Sequence, residues 1–171
     1  MAEAEAEVQD RAKTNSLAIW LAIMGLALIV PLFPLQQVTG PIINALLFIA
    51  VVILGLRQAL VICFVPSLMA LSAGLLLPIL APIVPFIMVS NVILVVTFNY
   101  LWRINFAWGV VIASLLKFIF IWSTTSATAN LFIKNQIAIK TVANMMSWPQ
   151  LVSALAGGVL AYGFLKFIKR I

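Results

Sequence analysis

The chain alternates between long apolar runs and short breaks that contain proline, glycine or polar residues. Apolar runs of this kind predict helices, and a bilayer needs roughly 20 apolar residues for each crossing. The pattern predicts an all-α, polytopic membrane protein with six transmembrane helices. Their predicted bounds are Ser16–Leu32, Pro41–Gly55, Ala59–Leu77, Ile83–Leu101, Phe106–Trp122 and Pro149–Phe164.

The breaks between the runs predict the connections. Polar residues 36–40 predict a link before Pro41, because proline suits a first helical position. Arg57 and Gln58 predict a tight turn. Residues 123–148 predict an additional interfacial helix or lid between the fifth and sixth spans, since they mix lysines and asparagines with apolar residues at roughly helical spacing. A poor seventh span is the alternative for this segment.

Composition supports the membrane assignment. The chain of 171 residues is 65% hydrophobic and 8% charged, whereas soluble domains are about half apolar and a quarter charged. This balance excludes an ordinary soluble enzyme, a disordered chain and a nucleic-acid module, despite a net charge of +6. We expect a polar, acidic cytoplasmic tail over residues 1–15 and a single six-helix transmembrane domain over residues 16–171.

Basic residues predict the orientation, because cytoplasmic loops are enriched in lysine and arginine. With both termini in the cytoplasm, Lys134 and Lys140 are the only basic residues of the loops that lie on the outer side of the membrane. The inside set is Arg11, Lys13, Arg57, Arg103, Lys166, Lys169 and Arg170. We therefore expect a multi-pass protein of the cell membrane.

Acidic residues and histidine are missing from the apolar part of the chain. All four acids lie in the first ten residues, as Glu3, Glu5, Glu7 and Asp10, and the chain has no histidine. Proton relays, Mg²⁺–nucleotide sites and acid–base catalysis draw mainly on these residue types. The sequence therefore predicts neither an enzyme nor a self-energised transporter. We expect no cofactor and no metal site, and Cys63 alone cannot form a disulfide.

A few polar residues interrupt the predicted spans at similar depth. Lys117 has no carboxylate available within the membrane part, so it either snorkels to the outer interface, pairs with an anionic ligand or contacts a lipid phosphate. Taking about 1.5 Å of rise per residue, several other groups lie in the same outer half. We predict that they converge on one outward-facing ligand site, whose residues are Lys117, Asn91, Asn44, Ser90, Ser153 and Gln37.

Small residues recur at spacings of four in the first and last spans. The first span contains Ala18, Ala22 and Gly25; the last pairs Ala154 with Gly158 and Gly157 with Ala161. Such residues let helices approach closely. They indicate either packing within the bundle or docking of a partner subunit, with Ala18, Ala22 and Gly25 as the predicted docking face.

The whole chain resembles the substrate-binding S components of energy-coupling factor (ECF) transporters in size, span count and orientation. Ala18-x-x-x-Ala22 is similar to the family's alanine motif, and the runs GPIINALLFIAVVILG, VPSLMALSAGLLLP and PFIMVSN read like uncharacterised members. The resemblance implies a prokaryotic plasma-membrane protein that works with a transmembrane coupling subunit and ATPase subunits. It also implies a ligand in the outer half, beneath the first, third and fifth loops. The family's nickel and cobalt branch uses histidines, which this chain lacks.

The leading hypothesis is therefore capture of a small organic nutrient or cofactor precursor, with an anionic group for Lys117. The alternative is a non-catalytic structural subunit or scaffold of a membrane complex, which the small-residue faces would serve equally well. A passive pore would need polar groups through the inner half, where the chain has few. A membrane enzyme would have to work with lysine, asparagine, serine and tyrosine alone.

Overall fold

The computed structural model describes residues 17–33, 35–74, 78–132 and 136–171, and this part of the chain is an all-helical bundle without strands. The predicted fold class is confirmed at this level. The predicted tail, residues 1–15, lies outside the described residues. The helices are α1 Leu17–Leu32, α2 Gln36–Leu54, α3 Leu56–Ser72, α4 Val84–Leu101, α5 Phe106–Phe132, α6 Gln136–Met145 and α7 Trp148–Phe167, with a 3₁₀ segment at Pro78–Ile83 before α4.

Four segments within the described residues are helical, long and apolar enough to cross a membrane. They are Gln37–Leu54, Ala81–Leu101, Phe106–Thr128 and Val142–Phe167. The other two predicted spans correspond to α1 and α3, which are apolar but shorter. At 1.5 Å per residue these two helices fall a few ångströms short of a hydrocarbon core about 30 Å thick.

The polar link predicted before Pro41 is wrong, because α2 already begins at Gln36 and Pro41 lies inside the helix. The carbonyl of Leu35 accepts hydrogen bonds from the N–H groups of Val38 and Thr39, at 2.9 and 3.0 Å, which starts the helix. As the sixth residue of α2, Pro41 cannot donate an N–H to the carbonyl of Gln37.

The tight turn between α2 and α3 lies at Gly55 instead of the predicted Arg57 and Gln58. Gly55 has φ +87°, a left-handed conformation that glycine adopts without steric cost. Its N–H donates to the carbonyls of Ala50 and Val51, both at 3.1 Å, and so ends α2. Arg57 and Gln58 consequently belong to the first turn of α3.

The segment 123–148 divides into two helical parts. Its first part continues α5 well beyond the predicted end at Trp122. The hydroxyls of Ser123, Thr124 and Thr128 donate to carbonyls three or four residues earlier, so these polar residues are satisfied within the helix. The second part contains the separate helix α6, which agrees with an additional helix between the last two spans.

A small apolar cluster joins α6 to the bundle. Val142 packs with Met146 against Ile121 of α5 and Ile83 of the 3₁₀ segment, and all four side chains are almost fully buried. This cluster is separate from the main core, which is formed by α1, α2, α3, α4, α5 and α7. It lies at the end of the bundle where α5 finishes and α7 begins.

Helices α2 and α7 approach each other closely at two glycines. A Cβ atom added to Gly157 would lie 2.6 Å from the Cβ of Asn44 and 2.8 Å from the carbonyl oxygen of Pro41. One added to Gly40 would lie 2.6 Å from the hydroxyl of Ser153. These contacts also show that α2 and α7 run in the same direction.

Candidate functional site

Lys117 lies inside the bundle and is held by amide groups from two other helices. Its side chain is only 4% exposed. Its Nζ donates to Oδ1 of Asn44 on α2 and to Oδ1 of Asn91 on α4, both at 2.7 Å. The side chain therefore points between helices and does not reach the bundle surface, so the interpretation that it snorkels is wrong.

Asn44 links Lys117 to α7. Its Nδ2 donates to the carbonyl oxygen of Gly40, at 3.0 Å, and to the hydroxyl of Ser153, at 3.1 Å. The glycines described above make this possible, because any larger residue at Gly40 or Gly157 would push α7 away from α2. With both amide hydrogens engaged, the amide oxygen of Asn44 is oriented toward the ammonium group.

Asn91 is oriented in the same manner from the other side. Its Nδ2 donates to the carbonyl oxygen of Cys63 on α3, at 3.4 Å, which leaves Oδ1 directed at Lys117. Both asparagines are almost completely buried. The network of Lys117, Asn44, Asn91, Ser153 and the Cys63 carbonyl therefore connects five helices: α2, α3, α4, α5 and α7.

The two remaining predicted site residues are not part of this network. Ser90 is buried beside Asn91, but its hydroxyl donates to the carbonyl of Ile87 within α4, at 2.7 Å. Gln37 is exposed in the first turn of α2, two helical turns before Asn44. The structure thus brings together four of the six residues predicted for the site.

Two buried hydroxyls on α5 were not predicted from the sequence. Ser114 and Thr125 lie on the same inward-facing side of α5 as Lys117, and neither hydroxyl has a hydrogen-bond partner among the described residues. Their spacing from Lys117, three residues before and eight after, is a helical-face signal that the sequence contained. Unpaired buried hydroxyls are costly, so these two positions could accept a polar group of a bound molecule.

The site is cationic, and the described residues supply no carboxylate side chain to neutralise it. The sequence from Arg11 onward contains no Asp or Glu, so the partners of Lys117 are neutral amide oxygens. An ammonium group carries three N–H donors, and two of them are engaged by the asparagines. Such a site suits an anionic group better than a cation, because amide oxygens solvate the charge of Lys117 but do not cancel it.

The described residues contain no group of three His, Cys, Asp or Glu side chains that could hold a metal ion. Cys63 is a free, buried thiol, and its backbone carbonyl is what contacts the network. The chemistry that the arrangement supports is recognition of charge and hydrogen bonding.

The predicted docking residues lie on the outside of the bundle. Ala18 and Ala22 of α1 are exposed, and Gly25 is half-buried with no atom within 4 Å of an added Cβ. The opposite side of α1 packs into the main core through its buried residues Ile23, Ala27 and Val30.

Comparison of the chain with protein-family models, with curated proteins and with solved structures finds no match. The functional argument therefore depends on the residues and their geometry.

Proposed function

We propose that this chain is a membrane-embedded substrate-capture subunit that binds a small organic nutrient or cofactor precursor and is energised by separate subunits. The observation that supports this most is the buried ammonium group of Lys117, which two oriented amides hold between helices with no counter-ion among the described residues. A carboxylate or phosphate group on the ligand would supply the missing negative charge.

The energetic argument concerns the cost of an unpaired charge. A lysine in the interior of a membrane bundle is destabilising by several kcal/mol unless an opposite charge accompanies it. The amide oxygens of Asn44 and Asn91 reduce this cost because they replace water as hydrogen-bond acceptors. Binding an anion would reduce it further, so the site favours anionic ligands over their neutral analogues.

The arrangement of the bundle supplies the remaining parts of the proposal. We take α1 to α5 and α7 as six spans, with both termini cytoplasmic in the plasma membrane of a prokaryote. Helix α6 then covers the outer end of the bundle, above Lys117, and acts as the lid. Gln37, exposed at the same end of the bundle, stands at the mouth of the site.

The exposed small-residue face of α1 fits a partner. Ala18, Ala22 and Gly25 leave the backbone of α1 open to close approach by another transmembrane helix. Because the chain resembles ECF S components, we propose that this partner is a transmembrane coupling subunit associated with ATPase subunits.

One observation favours the alternative of a non-catalytic structural subunit or scaffold. The Lys117 network already satisfies two donors of the ammonium group and ties α2, α4 and α5 together. The same network could hold helices in register without any ligand. The two functions differ in what removal of the lysine does to stability.

The decisive experiment is native mass spectrometry of the protein purified in mild detergent, combined with thermal unfolding. We would compare wild type with Lys117→Met, which keeps the length of the side chain, and with Lys140→Met as a control at an exposed lysine. Substrate capture predicts a stoichiometric anionic molecule that is lost in Lys117→Met and retained in Lys140→Met. The unfolding temperature of ligand-free Lys117→Met should equal or exceed that of ligand-free wild type.

A structural role predicts a different result. Wild type would then carry no small molecule and would not be stabilised by a panel of carboxylates and phosphate esters. In a structural role the hydrogen bonds of Lys117 outweigh the cost of its buried charge, so Lys117→Met would lose about 1–3 kcal/mol of stability. This outcome would contradict the substrate-capture proposal.

A further inference from the structure

One end of the bundle concentrates basic residues from the start of α3, the α4–α5 turn and the end of α7. We call it the basic end, and its cations are Arg57, Arg103, Lys166, Lys169 and Arg170. Aromatic rings on α2, α4, α5 and α7 pack against one another toward this end. The ring centroids of Phe48 and Phe98 are 4.6 Å apart, those of Phe98 and Phe106 are 5.2 Å apart, and those of Phe106 and Tyr162 are 5.4 Å apart.

Among the described residues the basic end has no Asp or Glu side chain to pair with, because the four acids of the chain all precede Arg11. All five of its cations belong to residues at least partly accessible to solvent. At the opposite end, the described residues include one exposed lysine, Lys140. Within the described part of the chain the positive charge is therefore concentrated on one surface, which favours an anionic partner.

Exposed aromatic and aliphatic side chains surround these cations. Ile104 is 82% exposed and Phe167 is 84% exposed, directly beside Arg103 and Lys166 in the chain. Tyr100 and Trp108 are also exposed, on either side of the α4–α5 turn. Cations bordered by Trp, Tyr and a continuous apolar surface are typical of the level of lipid headgroups. A soluble acidic protein would not cover the apolar part of this border, whereas lipid acyl chains would.

Two of the cations lie over aromatic rings. Phe106 packs against Phe98 of α4 and Tyr162 of α7, and so connects the elements that carry these two cations. The guanidinium carbon of Arg103 is 5.6 Å from the ring centroid of Trp102, and Nζ of Lys166 is 5.8 Å from that of Tyr162. Cation–π contacts of this kind restrict where the charged groups lie while leaving their N–H donors available. The two cations are thereby held at the boundary between the apolar side of the bundle and its basic end.

The end of α7 is also fixed in position. Lys169 adopts a left-handed conformation with φ 56°, and the N–H of Arg170 turns back to the carbonyl of Leu165, at 2.9 Å. This closure satisfies a terminal carbonyl of the helix and brings two further cations next to Lys166. The backbone that carries them is ordered by hydrogen bonds, so less freedom is lost when they bind a ligand.

We propose that the basic end binds the phosphate groups of anionic phospholipids, with Arg103 and Lys166 as the main contacts. The phosphate lies between the α4–α5 turn and the end of α7, and the acyl chains lie against the apolar sides of α5 and α7. Lys169 and Arg170 strengthen the attraction from the end of α7. This site is separate from Lys117 and does not depend on which small molecule the bundle binds.

The test is native mass spectrometry of delipidated protein titrated with phosphatidylglycerol or with phosphatidylcholine of the same acyl chains. We expect wild type to retain phosphatidylglycerol at least tenfold better than phosphatidylcholine. This preference should decrease as the salt concentration is raised. The variant Arg103→Gln/Lys166→Gln should lose about fivefold in affinity for each cation removed. Arg103→Lys/Lys166→Arg, which keeps both charges, and Lys140→Gln, at the opposite end, should bind as wild type does. Thermal unfolding checks that all variants are folded.

Equal retention of the two lipids by wild type would overturn the proposal. So would undiminished phosphatidylglycerol binding in folded Arg103→Gln/Lys166→Gln, or an equal loss in Lys140→Gln. If inorganic phosphate at millimolar concentration displaced phosphatidylglycerol completely, the surface would be a site for free phosphate and the lipid assignment would be wrong.

Discussion

Helices α1 and α7 carry the same kind of small-residue spacing and use it in different ways. In α7, the small residues Ala154, Gly157, Gly158 and Ala161 are buried against α2 and α5. In α1, Ala18 and Ala22 are exposed, while Ile23, Ala27 and Val30 on the opposite side of the helix face the core. The first pattern packs the bundle, and the second leaves a surface on which another helix can lie.

The two helices differ in the space available around their glycines. A Cβ added to Gly157 would overlap backbone atoms of α2, whereas one added to Gly25 would have no atom within 4 Å. Spacing alone therefore shows that a close approach is possible, and only the neighbours show whether it occurs. Four predictions test this contrast.

The largest effect is expected for Gly157→Ala. Its Cβ would lie 2.6 Å from the Cβ of Asn44 and 2.8 Å from the carbonyl oxygen of Pro41, and backbone of a packed helix moves with difficulty. We expect the free energy of unfolding in mixed micelles to fall by about 2–3 kcal/mol. An unchanged unfolding curve would mean that α2 and α7 are less closely packed than described.

Gly158→Ala should destabilise less, by about 1–2 kcal/mol. The added Cβ meets the side chain of Val110 on α5, which has more freedom to shift than backbone. Combining Gly158→Ala with Val110→Ala should restore part of the loss, because the second change makes room for the first. Additive losses in this double-mutant cycle would contradict the contact.

Gly25→Ala should raise the free energy of unfolding instead of lowering it. The residue is helical, its added Cβ meets nothing, and alanine loses less conformational freedom than glycine on folding. We expect a gain of about 0.5–1 kcal/mol in the same unfolding measurement. A loss comparable to that of Gly157→Ala would show that this side of α1 is packed after all.

The smallest effect on stability is expected for Ala18→Leu combined with Ala22→Leu. Both positions are exposed, so the free energy of unfolding should change by no more than about 0.5 kcal/mol. Binding of the small molecule should also be unaffected. Isolation of the complex with the proposed coupling subunit, however, should fail. A complex of unchanged yield would rule out this side of α1 as the docking face.

The convergence of four polar residues could be predicted from the sequence, because depth in a helix follows from counting residues. Asn44, Asn91, Lys117 and Ser153 each lie within an apolar run, and polar groups at similar depth avoid lipid by meeting one another. Which group bonds to which could not be predicted. The direction of the Lys117 side chain depends on the distances between α2, α4 and α5. Those distances depend in turn on the packing of α7 on α2.

Helix boundaries were harder to predict wherever polar residues are tolerated inside a helix. The predicted fifth span ends at Trp122, before a run rich in serine and threonine. In the structure the hydroxyls of Ser123, Thr124 and Thr128 bond to carbonyls of their own helix, and α5 continues. Residues 36–40 were predicted to form a link because Pro41 suits a first helical position. They form the first turn of α2 instead, so Pro41 lies inside the helix. Gln37, predicted to lie in this link, is exposed in the first turn of α2.

The hydrogen bonds of Lys117 also bear on how the chain is synthesised and inserted. A helix with a lysine near its middle enters a bilayer poorly on its own. Asn44 and Asn91 belong to α2 and α4, which leave the ribosome before α5, so both acceptors are available when Lys117 emerges. Ser153 of α7 arrives last and completes the orientation of Asn44. The order of these residues along the chain therefore gives α5 its acceptors at the time of its insertion, and loss of either asparagine should be felt first as a defect in biogenesis.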